Sequence, residues 1–167
     1  MSLERKAPQF LFLTPAQMLV SRRPMIVTTL LGSCVSVTMY CKRLKIGAIC
    51  HALLPRGEQG EPAGPAGHEA GRYVDGSILF LLERLQSRGV LRGEIEAKLF
   101  GGSDMFATSK GVSRSIGQQN IEMALSVLEA EQVRLITQDL GGARGRKIIF
   151  HTHSGEVFLK RLRKSEI

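Results

Sequence analysis

Two alternating runs joined by a short basic turn constrain this chain more than any other feature. In the first, Val35, Val37 and Met39 face one way while Cys34, Ser36 and Thr38 face the other. In the second, Ile46, Ala48 and Cys50 alternate with Gly47, Ile49 and His51, and the turn around Lys42 and Arg43 lies between. An antiparallel hairpin that sets Val35 against Cys50, Val37 against Ala48 and Met39 against Ile46 makes one face wholly apolar. A slip of one residue would carry every side chain of one strand to the wrong face, so the pattern argues for this pairing. The same register sets Cys34 directly opposite His51, and facing Cβ atoms lie roughly 4.5 to 5.5 Å apart.

A thiol beside an imidazole suggests a nucleophile and its base. A free thiol titrates near about 8.5, and a neighbouring imidazole can convert it to a thiolate at neutral pH. The pattern is equally open to a plain reading, in which a cysteine and a histidine meet as ordinary packing.

The surrounding sequence sets limits. At 167 residues and 43% hydrophobic content, the expectation is a single domain over residues 1–167. No apolar run approaches the roughly 20 residues of a membrane span, and Phe10-Leu11-Phe12-Leu13 is too short for a secretory core, which together predict a cytoplasmic protein without membrane insertion. Three cysteines do not suggest a disulfide framework. Cys50 reads as core and Cys41 as a turn residue. The net charge of +8 is carried partly by Arg22-Arg23, Lys42-Arg43-Lys45 and Lys160-Arg161-Arg163-Lys164, and fits an acidic protein partner, nucleic acid or a merely solvated surface. With 5% aromatics, no tryptophan and no nucleic-acid motif, a nucleic-acid partner is not expected.

Along the chain the pattern is α/β. Residues 10–13, 25–31, 34–40 and 46–53 read as strands, followed by a Gly/Pro-rich segment over 55–72 that is expected to be a mobile loop near the mouth of the site. Val74, Ile78, Leu81, Leu82 and Leu85 share a helical face that ends at Gly89 as a C-terminal cap. A strand over 95–100 runs into Gly101-Gly102-Ser103. Ser115 and Gln118 then resemble a capping box for a helix carrying Ile121, Leu125 and Leu128. Residues 133–137, 147–152 and 157–162 read as further strands.

Other motifs carry less chemistry. His151 and His153 share a strand face, but no third ligand has suitable spacing, so no metal site is expected. Gly101-Gly102-Ser103 and the run from Gly141 to Arg146 read as turns needing positive φ rather than as phosphate cradles, with Asp139 and Asn120 as polar supports.

The chain resembles the CheD family of chemoreceptor glutamine deamidases of bacterial and archaeal chemotaxis. The resemblance rests on Thr28 with Leu31-Gly32-Ser33-Cys34, His51-Ala52-Leu53-Leu54-Pro55, Tyr73-Val74-Asp75, Lys98-Leu99-Phe100-Gly101-Gly102, Ile116-Gly117 with Asn120, and Asp139-Leu140-Gly141-Gly142 with Gly145-Arg146-Lys147. These pieces span nearly the whole chain in the family's order. Two departures are Gln119, where the family usually has arginine, and the Gly/Pro richness between Arg56 and Gly71.

The resemblance implies an α/β sandwich of mixed, largely antiparallel sheet with two main helices packed on one side. It implies hydrolysis of receptor glutamine side chains to glutamate and ammonia, without a cofactor, through a thioester on Cys34 with His51 as acid and base. Gly32 and Ser33 become the oxyanion or support candidates. By family spacing Thr28 would orient the imidazole; from the residues alone, Thr29 serves equally well. Implied partners are the cytoplasmic helices of chemoreceptors and a CheC-type phosphatase. The alternative is an adaptor that binds that phosphatase and modulates signalling with little catalysis.

Overall fold

The computed structural model describes residues 7–57, 70–106 and 114–166. Most of the 55–72 segment lies outside them. Among the described residues the chain forms, in order, β1 (Gln9–Phe12), β2 (Met18–Ser21), β3 (Met25–Leu31), β4 (Val35–Cys41), β5 (Ile46–Cys50), α1 (Val74–Ser87), β6 (Ile95–Gly101), α2 (Ile116–Ala130), β7 (Arg134–Leu140), β8 (Arg146–His151) and β9 (Val157–Arg161).

Strand β4 is buried at every position, so both of its faces are covered. It is central to a five-stranded sheet of order β2-β5-β4-β6-β7, and a four-stranded sheet of order β1-β3-β8-β9 packs against it. Strand β1 runs parallel to β3 and β7 parallel to β6, while the other neighbours are antiparallel. Val35, Val37, Met39, Ile46, Ala48 and Cys50 form the predicted apolar face, and it packs against Val74, Ile78, Leu81 and Leu85 of α1 and Ile121, Ala124 and Leu128 of α2. The opposite face of the sheet meets the four-stranded sheet through Ile49 and Phe100, against Val27, Leu31, Ile148 and Phe150. The result is three layers, with both helices on one side of a pair of mixed sheets, as the expected α/β sandwich requires.

The end of α1 and the start of α2 fall where expected, with half of the expected capping box formed, since the Gln118 side chain donates to Glu122 Oε1. Ser115 Oγ accepts the Gln118 N–H at the start of α2, and Gly89, with φ +87°, follows the end of α1. Three expectations need correction. Strand β2 has no counterpart among the sequence-predicted strands: its four residues, squeezed between Pro15 and Arg22, are too few to display alternation, and it forms by pairing with β5. Cys41 is not a turn residue but the fully buried last residue of β4. Leu125 is 37% exposed, because the buried face of α2 runs instead through Gly117, Asn120, Ile121, Ala124 and Leu128.

The hairpin register also differs. Met39 pairs with Ala48 and Cys41 with Ile46, and the ladder ends in a bridge between Val35 and Ala52. This is two residues away from the predicted pairing. A shift of two preserves which side chains share a face, so the apolar layer survives, but Cys34 is no longer directly opposite His51.

Candidate active site

Cys34 and His51 lie at the same end of β4 and β5, on the face turned toward the second sheet. The Val35–Ala52 bridge, closed by reciprocal backbone bonds of 3.1 and 2.9 Å, fixes their relative placement. It makes them diagonal rather than facing neighbours, a relation in which side chains remain within reach across roughly 7 to 8 Å. His51 is held on its other edge as well: its N–H donates to Gln17 O at 3.1 Å, and its carbonyl accepts from Ala16 N–H at 2.8 Å. Among the described residues, no hydrogen bond joins the Cys34 thiol to the imidazole.

The imidazole is oriented from the opposite sheet. Alternation along β3 buries Val27, Thr29 and Leu31 in the space between the sheets, and Thr29 Oγ1 lies 2.7 Å from His51 Nδ1. The same hydroxyl donates to Leu13 O at 2.7 Å. A hydroxyl has one hydrogen, so with that hydrogen on Leu13 the contact to His51 is completed by Nδ1–H donating to Thr29 Oγ1. This sets the tautomer and leaves Nε2 without a proton. Thr28, the residue selected by family spacing, points to the other face of β3, where it lines an open groove with Phe10, Phe12, Leu30 and Lys147. The strand period of two permits one of the adjacent threonines to reach the site, and it is Thr29.

Burial governs the protonation of the pair. It pushes the half-buried Cys34 thiol above its ordinary value, an effect its own backbone N–H opposes only in part. It also pushes the His51 imidazole down to about 4. Both shifts favour the neutral form of each group, thiol and imidazole, over the thiolate expected from the sequence.

The turn that presents Cys34 is held by all three of its carbonyls. Gly32 O accepts from Ser103 N–H at 3.0 Å, Ser33 O from Asn120 Nδ2 at 2.9 Å, and Cys34 O from Gly102 N–H at 2.9 Å. Gly101, with φ +109°, is required here because a Cβ would stand 2.3 Å from Cys34 O. The Gly-Gly turn is therefore a seat for the cysteine turn rather than an anion cradle. Beside Ser33 a cavity of about 240 Å³ opens between Met105, Phe106 and the first residues of α2.

Asp139 supports this seat indirectly. Its carboxylate accepts from Arg146 Nε at 2.6 Å and from Arg161 Nη2 at 2.8 Å, and Arg146 Nη2 also donates to Gly141 O at 2.8 Å. Burial pushes the Asp139 carboxyl up, but the two guanidinium groups outweigh it and hold the group below its ordinary value. This tie joins β7 of one sheet to β8 and β9 of the other. Gly141 N–H in turn donates to Gly101 O at 2.9 Å.

Sequence reasoning assigned Asn120 to the glycine turns, whereas its amide bonds Ser33 and Leu53 on the two strands that carry Cys34 and His51. The available signal was an asparagine on the apolar face of a helix, beside Ile121. His151 packs edge-on against Phe158, with ring centroids 5.4 Å apart. Among the described residues no three His, Cys, Asp or Glu side chains converge as metal ligands.

The three-layer fold sets Cys34 and His51 on one sheet face, turned toward the second sheet. The chain belongs to the CheD family. The family model described as CheD chemotactic sensory transduction matches residues 53–161. A probable chemoreceptor glutamine deamidase CheD 2 of Geobacter sulfurreducens is 45% identical over 156 residues, covering 93% of this chain and 91% of that protein. The probable chemoreceptor glutamine deamidase CheD of Maridesulfovibrio salexigens is 39% identical over 145 residues, covering 85% of each chain. The protein of the same name in Pyrococcus horikoshii is 34% identical over 141 residues, covering 82% of each.

Proposed function

We propose that this chain is a chemoreceptor glutamine deamidase that hydrolyses the side-chain amide through a thioester on Cys34. Family membership supports the activity and the receptor as substrate. One observation carries the mechanism: Thr29 donates to Leu13 O and thereby receives Nδ1–H of His51, which leaves Nε2 as the base on the same sheet face as Cys34.

The steps follow from that tautomer. Because thiol and imidazole are both neutral at rest, the proton passes from Sγ to Nε2 as sulfur attacks the amide carbon. The carbon–sulfur bond forms while the carbonyl electrons move onto oxygen, and the N–H groups of Ser33 and Cys34 are the candidate donors to that oxyanion. The imidazolium then returns its proton to nitrogen as the carbon–nitrogen bond breaks, releasing ammonia and leaving the thioester. His51 next takes a proton from water, whose oxygen attacks the thioester, and returns it to sulfur as glutamate leaves. Thr29, being neutral, keeps the ring oriented through both protonation states without adding charge.

The three free cysteines fit a reducing compartment, which we take to be the cytoplasm, and no described helix is long and apolar enough to cross a membrane. A CheC-type phosphatase is a second proposed partner, by family resemblance.

The test is mass spectrometry of a co-expressed chemoreceptor, in which each deamidated glutamine gains about 1 Da as its NH₂ is replaced by OH. Cys34→Ala is expected to abolish that gain, while Cys41→Ala and Cys50→Ala retain it. Undiminished deamidation by Cys34→Ala would refute the mechanism.

A further inference from the structure

We propose that Asn120 is a positioning residue that sets the separation of Cys34 and His51 by bridging their two strands from α2. The proposal rests on the assignment of those two residues as nucleophile and base. Asn120 is fully buried, and its amide nitrogen donates to Ser33 O and to Leu53 O, each at 2.9 Å. Ser33 immediately precedes Cys34, and Leu53 lies two residues beyond His51.

The place of this bridge in the ladder explains its use. Val35 and Ala52 form the last backbone bridge between the strands. Beyond it lie the carbonyl oxygens of Ser33, two residues before Val35, and of Leu53, the residue after Ala52, and two acceptors cannot bond to each other. A neutral group with two N–H donors can join them, and the primary amide of asparagine is such a group. Asn120 therefore adds a rung to the ladder at the level of the reacting groups.

Helix α2 is fixed for the purpose. A Cβ on Gly117 would stand 2.5 Å from both Gly102 O and Ser103 O, so only glycine lets the helix approach this closely. The same Gly102 donates to Cys34 O. The amide oxygen of Asn120, by contrast, is buried and has no hydrogen-bond partner among the described residues.

The experiment uses the full chain with a chemoreceptor cytoplasmic fragment and measures ammonia release by Asn120→Asp and Asn120→Ala. The carboxylate of Asn120→Asp would face two carbonyl oxygens with no donor, so kcat should fall roughly ten- to hundredfold with KM within about twofold of wild type. On acidification the protonated acid donates one bond again, so the variant's kcat should rise as pH is lowered from about 8 to about 6. Wild type should stay flat over that range, because His51 is neutral throughout it. Asn120→Ala should lose kcat without recovery in acid. Unchanged kcat, loss confined to melting temperature, or failure of both variants to fold would overturn the proposal, the last by making Asn120 a determinant of folding. Cys34→Ala in the same assay separates the two readings: if it turns over, the nucleophile assignment fails. If it is dead while Asn120→Asp is fully active, only the positioning role fails.

Discussion

Replacing His51 with asparagine should remove a specific part of the protein's acid sensitivity. The imidazole is 2% exposed, and burial lowers it from 6.5 to about 4. In the unfolded chain it would bind a proton near its ordinary value. Between those two values the unfolded state therefore holds more protons than the folded state, and stability must fall as pH is lowered. The contribution is fully present above about pH 6.5 and is lost progressively toward pH 4. At about 1.4 kcal/mol per pH unit, linkage gives a loss of about 1.4 kcal/mol at pH about 5.5 and about 2.5 kcal/mol at pH about 4.5. His51→Asn keeps an N–H donor for Thr29 but has nothing to titrate. Urea unfolding of both proteins across this range isolates the term, because the carboxylates common to both cancel in the difference. Wild type should lose about 2.5 kcal/mol more than the variant by pH about 4.5. Parallel pH profiles would refute the reasoning, since they would mean that the folded imidazole titrates like an exposed one.

Thr29→Val should lower kcat roughly ten- to hundredfold by releasing the imidazole to the other tautomer, while Thr28→Val leaves it within about twofold; equal losses in ammonia release would remove Thr29 from its role. Iodoacetamide should alkylate Cys34 slowly at neutral pH and faster by up to about tenfold per pH unit as pH rises. A fast rate independent of pH from about 6 upward would instead reveal a resting thiolate–imidazolium pair. Raising salt should increase KM for whole receptor and leave kcat nearly unchanged, because screening over about 8 Å weakens the encounter of a chain of net charge +8 with an acidic surface, not the chemistry; a KM indifferent to salt would leave the basic clusters no part in capture.

The sequence disclosed parity better than register. The apolar face of Val35, Val37, Met39, Ile46, Ala48 and Cys50 was legible because a strand has period two and one of its faces must be dry. Nothing in that pattern distinguishes the pairing of Val35 with Cys50 from the observed pairing with Ala52, since both keep every side chain on its own side. The choice falls to features outside the hairpin: the pairing of Met18 with Cys50 in β2, and Asn120 reaching in from α2. Those are long-range contacts, invisible to any local reading.

The same limit explains the two threonines. Thr28 and Thr29 are equivalent in composition, and their strand places one inward and one outward without saying which. The answer depends on how β3 lies across the five-stranded sheet, where Val27, Thr29 and Leu31 turn toward Ile49 and His51. Having Cys34 and His51 on one sheet and Thr29 on the other has a chemical consequence. The proposed nucleophile and base are set by backbone pairing within a single sheet, whereas the tautomer of the imidazole is set by packing between two. A perturbation that loosened the sheet interface without unfolding β4 and β5 would therefore leave the thiol and imidazole adjacent yet release the proton on Nδ1. It should reduce turnover before it reduces substrate binding.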